Sequence, residues 1–138
     1  MKPQHVLDAC ALIAFFNDEN GSDVVENLLV RAENNEIDLV IHIINVLEIF
    51  YGVLRDDGEK IAREVIDRIS ELTITVIHEI SEQVFFEAGR LKAQYRISLA
   101  DAIAVSEANV RKALIVTADH HEFDYLEKQN EIKPLWIR

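Results

Sequence analysis

One cysteine, Cys10, stands in 138 residues, so an internal disulfide is excluded and no cysteine pair is there to bind zinc. Proline is scarce at 2 residues and glycine at 4, which disfavours an all-β fold built on tight turns. No apolar run reaches the roughly 18 residues that a membrane-spanning helix needs. The opening Met-Lys-Pro-Gln-His does not read as a secretory leader, because Asp8 at once breaks the apolar stretch behind it. Positive charge is also short: 14 Lys and Arg face 25 Asp and Glu, a formal net charge of −11. That balance argues against a non-specific nucleic-acid coat protein, which carries a basic surface. It leaves room for a metal-dependent nuclease, whose cations offset acids at the site itself, and for a protein that docks with a basic partner. The expected setting is a reducing cytoplasm, with no membrane contact.

What is present reads as one soluble domain over residues 1–138, with 49% hydrophobic and 28% charged residues and no linker, repeat or low-complexity tract. Strand and helix patterns alternate. His5–Asp8 is a short strand and Ala9–Phe16 a helix that Asp8 can cap. After a break at Gly21, Val24, Val25, Leu28, Leu29 and Ala32 recur at helical spacing over Asp23–Asn34. Asp38–Ile43 is a β-branched strand, Ile44–Leu54 a helix, and Gly58 a break before the amphipathic Glu59–Leu72. Thr73–Ile77 is a third strand. Ser81 caps a helix over Glu82–Tyr95 whose inner face is expected to hold Val84, Phe85, Ala88, Leu91 and Tyr95, and the Phe and Leu stripes generally read as core. Ser98 opens a helix to about Arg111. Ala113–Thr117 is a fourth strand, Asp119–Glu127 a turn or short helix, and Leu135–Ile137 a fifth short strand. Strands separated by helices imply parallel pairing and a sheet covered on both faces, with ligands beyond the carboxyl ends of the strands.

Four acids stand in or beside apolar runs: Asp8 in VLDACALIAFF, Glu48 in IINVLEIFYGV, Asp101 in ISLADAIAVSEA and Asp119 in LIVTADHHEF. No Lys or Arg lies within two positions of any of them. A buried carboxylate must be paired, hydrogen-bonded or metal-bound. The pattern maps all four to one edge of the sheet. Two carboxylates ~5 Å apart repel by about 3 kcal/mol at an effective dielectric near 20, so such a group either raises a pKa or recruits a cation. Oxygen-only ligands suit Mg²⁺ or Mn²⁺.

Each acid also has a plainer reading. Asp8 caps a helix, Ser98-Leu-Ala-Asp101 fits a capping box with Asp for the usual Glu, and Asp119 suits a turn after a strand. Glu48 has no helical ion-pair partner, since Ile44, Asn45, Tyr51 and Gly52 occupy the neighbouring turns. His120 and His121 read as solvated turn residues rather than zinc ligands, His5, His42 and His78 as structural, and Cys10 as a small core residue.

The segments VLDACALIAFF, NVLEIFYGVLR, RLKAQYRISLADAIAVSEA and LIVTADHHEFDYLE, with the closing PLWIR, resemble a PIN domain over essentially the whole chain. They resemble most the toxin component of a VapBC type II toxin–antitoxin pair. The resemblance implies a three-layer α/β/α fold with a mainly parallel, roughly five-stranded sheet, and an Mg²⁺- or Mn²⁺-dependent endoribonuclease. Its site acids fall on Asp8, Glu48, Asp101 and Asp119 as metal ligands and catalytic residues. It further implies a homodimer and a cognate VapB-like antitoxin over the site. A small hydroxyl residue often stands two positions after the first acid; here it is Cys10. Ser98, Thr117 and Glu122 are accessory candidates, and Arg90, Lys92 and Arg96, with Arg111 and Lys112 nearby, are candidates for RNA phosphate contacts.

The expected reaction is hydrolysis of an RNA phosphodiester with Asp8 and Asp101 as principal ligands. Other readings are a PIN nuclease of RNA processing or decay, a degenerate PIN module that only binds a partner, and a receiver-like signalling domain with an acidic Mg²⁺ pocket. The last wants adjacent acids after the first strand, where this chain has Asp8-Ala9.

Overall fold

β1 (Gln4–Leu7) lies at the middle of a sheet of five parallel strands, in a computed structural model that describes residues 2–138. β2 (Asp38–His42) and then β3 (Thr75–Ile77) lie on one side of it, and β4 (Leu114–Thr117) and then β5 (Pro134–Trp136) on the other. Between strands run α1 (Ala9–Phe16), α2 (Ser22–Glu33), α3 (Ile43–Asp57), α4 (Glu59–Glu71), α5 (Glu82–Gln94), α6 (Leu99–Arg111) and α7 (His120–Lys128). The chain winds outward from β1 to β3, crosses back to β4 and ends at β5. The β1–β4 junction is therefore the switch point, where the carboxyl ends of the strands leave a crevice.

Two apolar layers cover the sheet. Leu7, Leu39, Ile41 and Val116 face α1 to α4, packing with Leu12, Val25, Leu28, Ile49 and Ile69. Val6, Val40 and Ile115 face the other way, onto Leu91, Ile103, Val105, Phe123 and Leu126 of α5 to α7. The period-2 alternation of strand side chains produces this division. Burial on both faces makes strands such as DLVIH nearly continuous apolar runs. The three-layer α/β/α fold expected from the alternation is the one observed.

Helix starts follow local chemistry. Asp8, Ser81 and Ser98 cap α1, α5 and α6 through their side-chain oxygens. Gly21 enters α2 at φ +98, and a Cβ there would meet the Ile137 carbonyl oxygen at 2.6 Å, so only glycine suits both demands. Of the two readings of residues 119–127, the short helix is the one observed: α7 is capped by Asp119 and takes in His120 and His121, which were expected in a turn and are both exposed. Two expectations are corrected. Phe85 does not lie on the inner face of α5 and the Phe stripe is not all core, for Phe85 and Phe86 are 63% and 65% exposed. The burial of α5 is carried by Val84, Ala88 and Leu91, spaced four and three apart; Phe85 and Phe86 lie off that stripe. Cys10 is half-buried rather than fully core.

Candidate active site

Asp8 directly follows β1, at the switch point, and is 1% exposed. Its Oδ1 accepts the Ala11 N–H at 2.8 Å, and its Oδ2 accepts the Thr117 hydroxyl at 2.5 Å. Thr117 ends β4 and is fully buried. The same hydroxyl oxygen accepts the Asp119 N–H at 3.0 Å, and Asp119 Oδ1 accepts the Glu122 N–H at 3.1 Å as the cap of α7. One threonine thus ties the two acids at the ends of neighbouring strands.

Asp101 lies in the first turn of α6, a helix whose residues from Asp101 to Ala108 are all buried. Its N–H donates to Ser98 Oγ at 3.1 Å, one half of the predicted capping box. Glu48, in the second turn of α3, and Asp119 are half-buried rather than core. Asn45, one turn before Glu48, is 0% exposed; its Nδ2 donates to the Ala100 carbonyl at 3.1 Å and its Oδ1 has no partner. That contact clamps α3 against the residue preceding Asp101. The sequence reading missed Asn45, although a lone amide among Ile43, Ile44, Val46 and Leu47 was a visible signal.

The electrostatics place the acids within mutual reach. Burial pushes the Asp8 carboxyl up to about 7, against the pull of the Thr117 and Ala11 hydrogen bonds and with help from Asp101 and Asp119. Asp101 is also pushed up to about 7, first by burial, then by Glu48, Glu122 and Asp119, with Ser98 opposing. Glu48 is raised by burial, Asp119 and Glu122. Cys10 borders the group: burial and then Asp8 lift its thiol to about 11, so it is a neutral neighbour and not a nucleophile. Among these influences no basic residue stabilises Asp8, Glu48 or Asp101.

The donor set is all oxygen, and one further oxygen, Glu122 Oε2, is buried without a partner. Its chemistry fits a hard divalent cation. Among the described residues no three acidic, histidine or cysteine side chains are drawn into a closed ligand cluster. The acids nonetheless lie near enough for Asp101 and Asp119 to raise Asp8, and for Glu48, Glu122 and Asp119 to raise Asp101.

The basic candidates fare unequally. Arg90 is bound at 2.9 Å to both Glu87 and Glu131 and lines a cavity of about 390 Å³ with Lys112, Ala113 and Lys133, towards the amino ends of β4 and β5, the opposite edge from Asp119. Arg111 is likewise held by Glu107 and Gln4 at the far end of α6. Lys92 Nζ donates to the Ile97 carbonyl at 2.6 Å, beside the start of α6, and Arg96 is exposed in the same turn. Arg138, overlooked in the sequence, is the cation whose field reaches Cys10; no local pattern announces it.

A model of the PIN domain matches residues 5–129, and the chain belongs to that family. This sets aside the receiver-like reading. No curated protein matches the sequence. Among solved structures, the chain is similar to a DNA-bound VapBC complex from Salmonella typhimurium, at 17% identity and a TM-score of 0.73, covering 99% of each chain. It is similar to VapBC2 from Rickettsia felis bound to a promoter fragment, at 21% identity and a TM-score of 0.71, covering 88% of this chain and 92% of that one. It is also similar to the sarcin–ricin-loop-cleaving toxin VapC20 from Mycobacterium tuberculosis, at 11% identity and a TM-score of 0.66, covering 95% and 98%. At these identities the shared property is the fold.

Proposed function

We propose that the chain is a metal-dependent endoribonuclease, the toxin of a VapBC-type pair, acting in the cytoplasm. The observation that carries this reading is the pair Asp8 and Asp101: two buried carboxyls, both pushed up to about 7, with no basic partner stabilising either. Such groups bind either protons or a cation. Asp8, Asp101, Glu48 and Asp119 would hold Mg²⁺ or Mn²⁺, with Glu122 as a further oxygen donor. The chemistry such an ion supplies is activation of water and neutralisation of phosphate charge.

The residues supply the rest. The Ala11 N–H and Thr117 hydroxyl hold both Asp8 oxygens in place. Asn45 fixes α3 against α6, and so Glu48 against Asp101. Burial keeps bulk water from screening the acids. The description of the VapC20 neighbour as a sarcin–ricin-loop-cleaving toxin supports the nuclease reading.

Exposed apolar side chains support protein partners. Leu47, Tyr51 and Leu54 line one face of α3, and Ile80, Phe85, Phe86 and Leu99 surround the α5–α6 junction. An antitoxin and a second copy of the chain are the partners proposed. Purified protein should cleave RNA with Mn²⁺ or Mg²⁺ and stop on chelation; RNA left intact under both conditions would remove the reading.

A further inference from the structure

Beside the acids stands a pair of rings that the proposed chemistry leaves unused. His120, the first residue of α7, stacks on Trp136, the last residue of β5, with ring centroids 3.8 Å apart and planes 9° from parallel. Both rings are held at their edges. His120 Nδ1 lies 2.8 Å from Asp124 Oδ1 and its Nε2 2.9 Å from the Arg138 carbonyl oxygen. The indole N–H donates to Glu127 Oε1 at 3.4 Å. One imidazole face lies on the indole, yet the His120 side chain is still 49% exposed.

The stack is placed against the site by the sheet. Trp136 pairs with Thr117 in the parallel ladder, and Thr117 holds Asp8. His120 directly follows Asp119. Arg138, whose Nη1 donates to the Asn20 carbonyl at 2.8 Å and pairs with Glu19 at 3.1 Å, holds a guanidinium on the same rim.

We propose that His120, backed by Trp136, is a stacking platform for an unpaired RNA base adjoining the scissile phosphate. The inference rests on the nuclease reading above and adds to it how substrate is held. A protein of net charge −11 gains little affinity from phosphates. Stacking on aromatic faces is the other general source of affinity for single-stranded RNA, and every base has such a face. A ring already ordered by a neighbour and two edge contacts loses little freedom on binding. A stack that served only to pack α7 on β5 would be indifferent to RNA.

Trp136 is the sole tryptophan, so its emission, excited beyond the absorption of the three tyrosines, reports on the stack. The full chain, with Ca²⁺ in place of Mg²⁺ to hold back cleavage, is titrated with single-stranded oligouridylate, oligoadenylate and an abasic oligomer of equal length. Base-bearing oligomers should quench Trp136 emission and bind more tightly than the abasic one. H120A should weaken binding about fivefold to a hundredfold by anisotropy of end-labelled RNA, and H120F should restore it. In Mn²⁺, H120A should raise KM for RNA with little change in kcat. Equal affinity for base-bearing and abasic oligomers overturns the platform, and that comparison needs no variant to fold. Cleavage by the wild type with unaltered KM in a folded H120A does the same while leaving the nuclease reading intact. Neither cleavage nor binding of total bacterial RNA by the wild type would instead remove the nuclease reading itself.

Discussion

Thr117 and Asp8 meet across the β1–β4 junction, the threonine hydroxyl donating to Asp8 Oδ2 at 2.5 Å while accepting the Asp119 N–H at 3.0 Å. A hydroxyl is the only small side chain that does both. T117V leaves a buried carboxyl oxygen and a backbone N–H without partners, at a cost of about 1–3 kcal/mol. It should also lower RNA cleavage at least about tenfold, whereas T117S keeps both contacts and most of the activity. Thermal melts and cleavage rates on the two variants decide it; equal rates for wild type and T117V would show that the contact serves folding alone.

Asparagine is as good a helix cap as aspartate. D8N therefore keeps the Ala11 contact through its one oxygen, turns the Thr117 contact round so that its amide donates to the hydroxyl oxygen, and removes the buried charge; D101N removes the charge in the first turn of α6. Both should abolish metal-dependent cleavage and melt at the same temperature as the wild type or higher at pH 8. A large fall in melting temperature with cleavage retained would make these acids structural caps only.

The pH dependence of stability follows from the same two groups. Folding raises both carboxyls from 3.8 to about 7, so across that interval the folded chain binds more protons than the unfolded one. Their contribution to stability therefore falls as pH rises from about 4 to about 7, and the whole penalty is present above 7. In chelator, denaturant titrations of wild type minus the D8N/D101N double variant should show the wild type losing ground towards pH 8. Mn²⁺ added at pH 8 should restore it, because the ion binds the charged form. A difference curve that is flat with pH would contradict the burial of these charges.

Arg90 and Arg138 are expected to behave differently. R90A breaks contacts to Glu87 and Glu131, the latter also held by Tyr95, and should cost about 1 kcal/mol after solvent screening while RNA affinity stays unchanged. R138A should weaken RNA binding several-fold, with a salt dependence shallower than that of the wild type. Binding isotherms at two salt concentrations separate the two.

Phe85 and Phe86 pack edge to face with each other, outside the core. F85S/F86S should change monomer stability by no more than about 0.5 kcal/mol. If this face serves a protein partner, the same change should shift the mass seen by light scattering or weaken antitoxin capture; unaltered assembly would restrict partners to the α3 face.

Much of the architecture was legible because its signals are local. Val84, Ala88 and Leu91 follow the helix period, DLVIH follows a doubly buried strand, and Ser81, Ser98 and Asp8 stand where caps belong. The acids were visible because charges in apolar runs stand out. Phe85 was misplaced because a residue next to the buried stripe carries the same composition as one on it. The engagement of Arg90 was not legible for a similar reason: its partner Glu131 is remote in sequence, and a carboxylate that occupies a guanidinium leaves no local trace.

What the sequence alone determined is the succession of strands and helices and the presence of uncompensated acids among apolar residues, since both follow from the period of side-chain burial along a short stretch. Which strands become neighbours is another matter. That β1 lies between β2 and β4, so that Thr117 reaches Asp8, Asn45 reaches Ala100, and His120 lies on Trp136, was decided only by the folded chain. These contacts join residues from separate strands and helices, and they form only when both faces of the sheet are covered and the crossovers close in one hand.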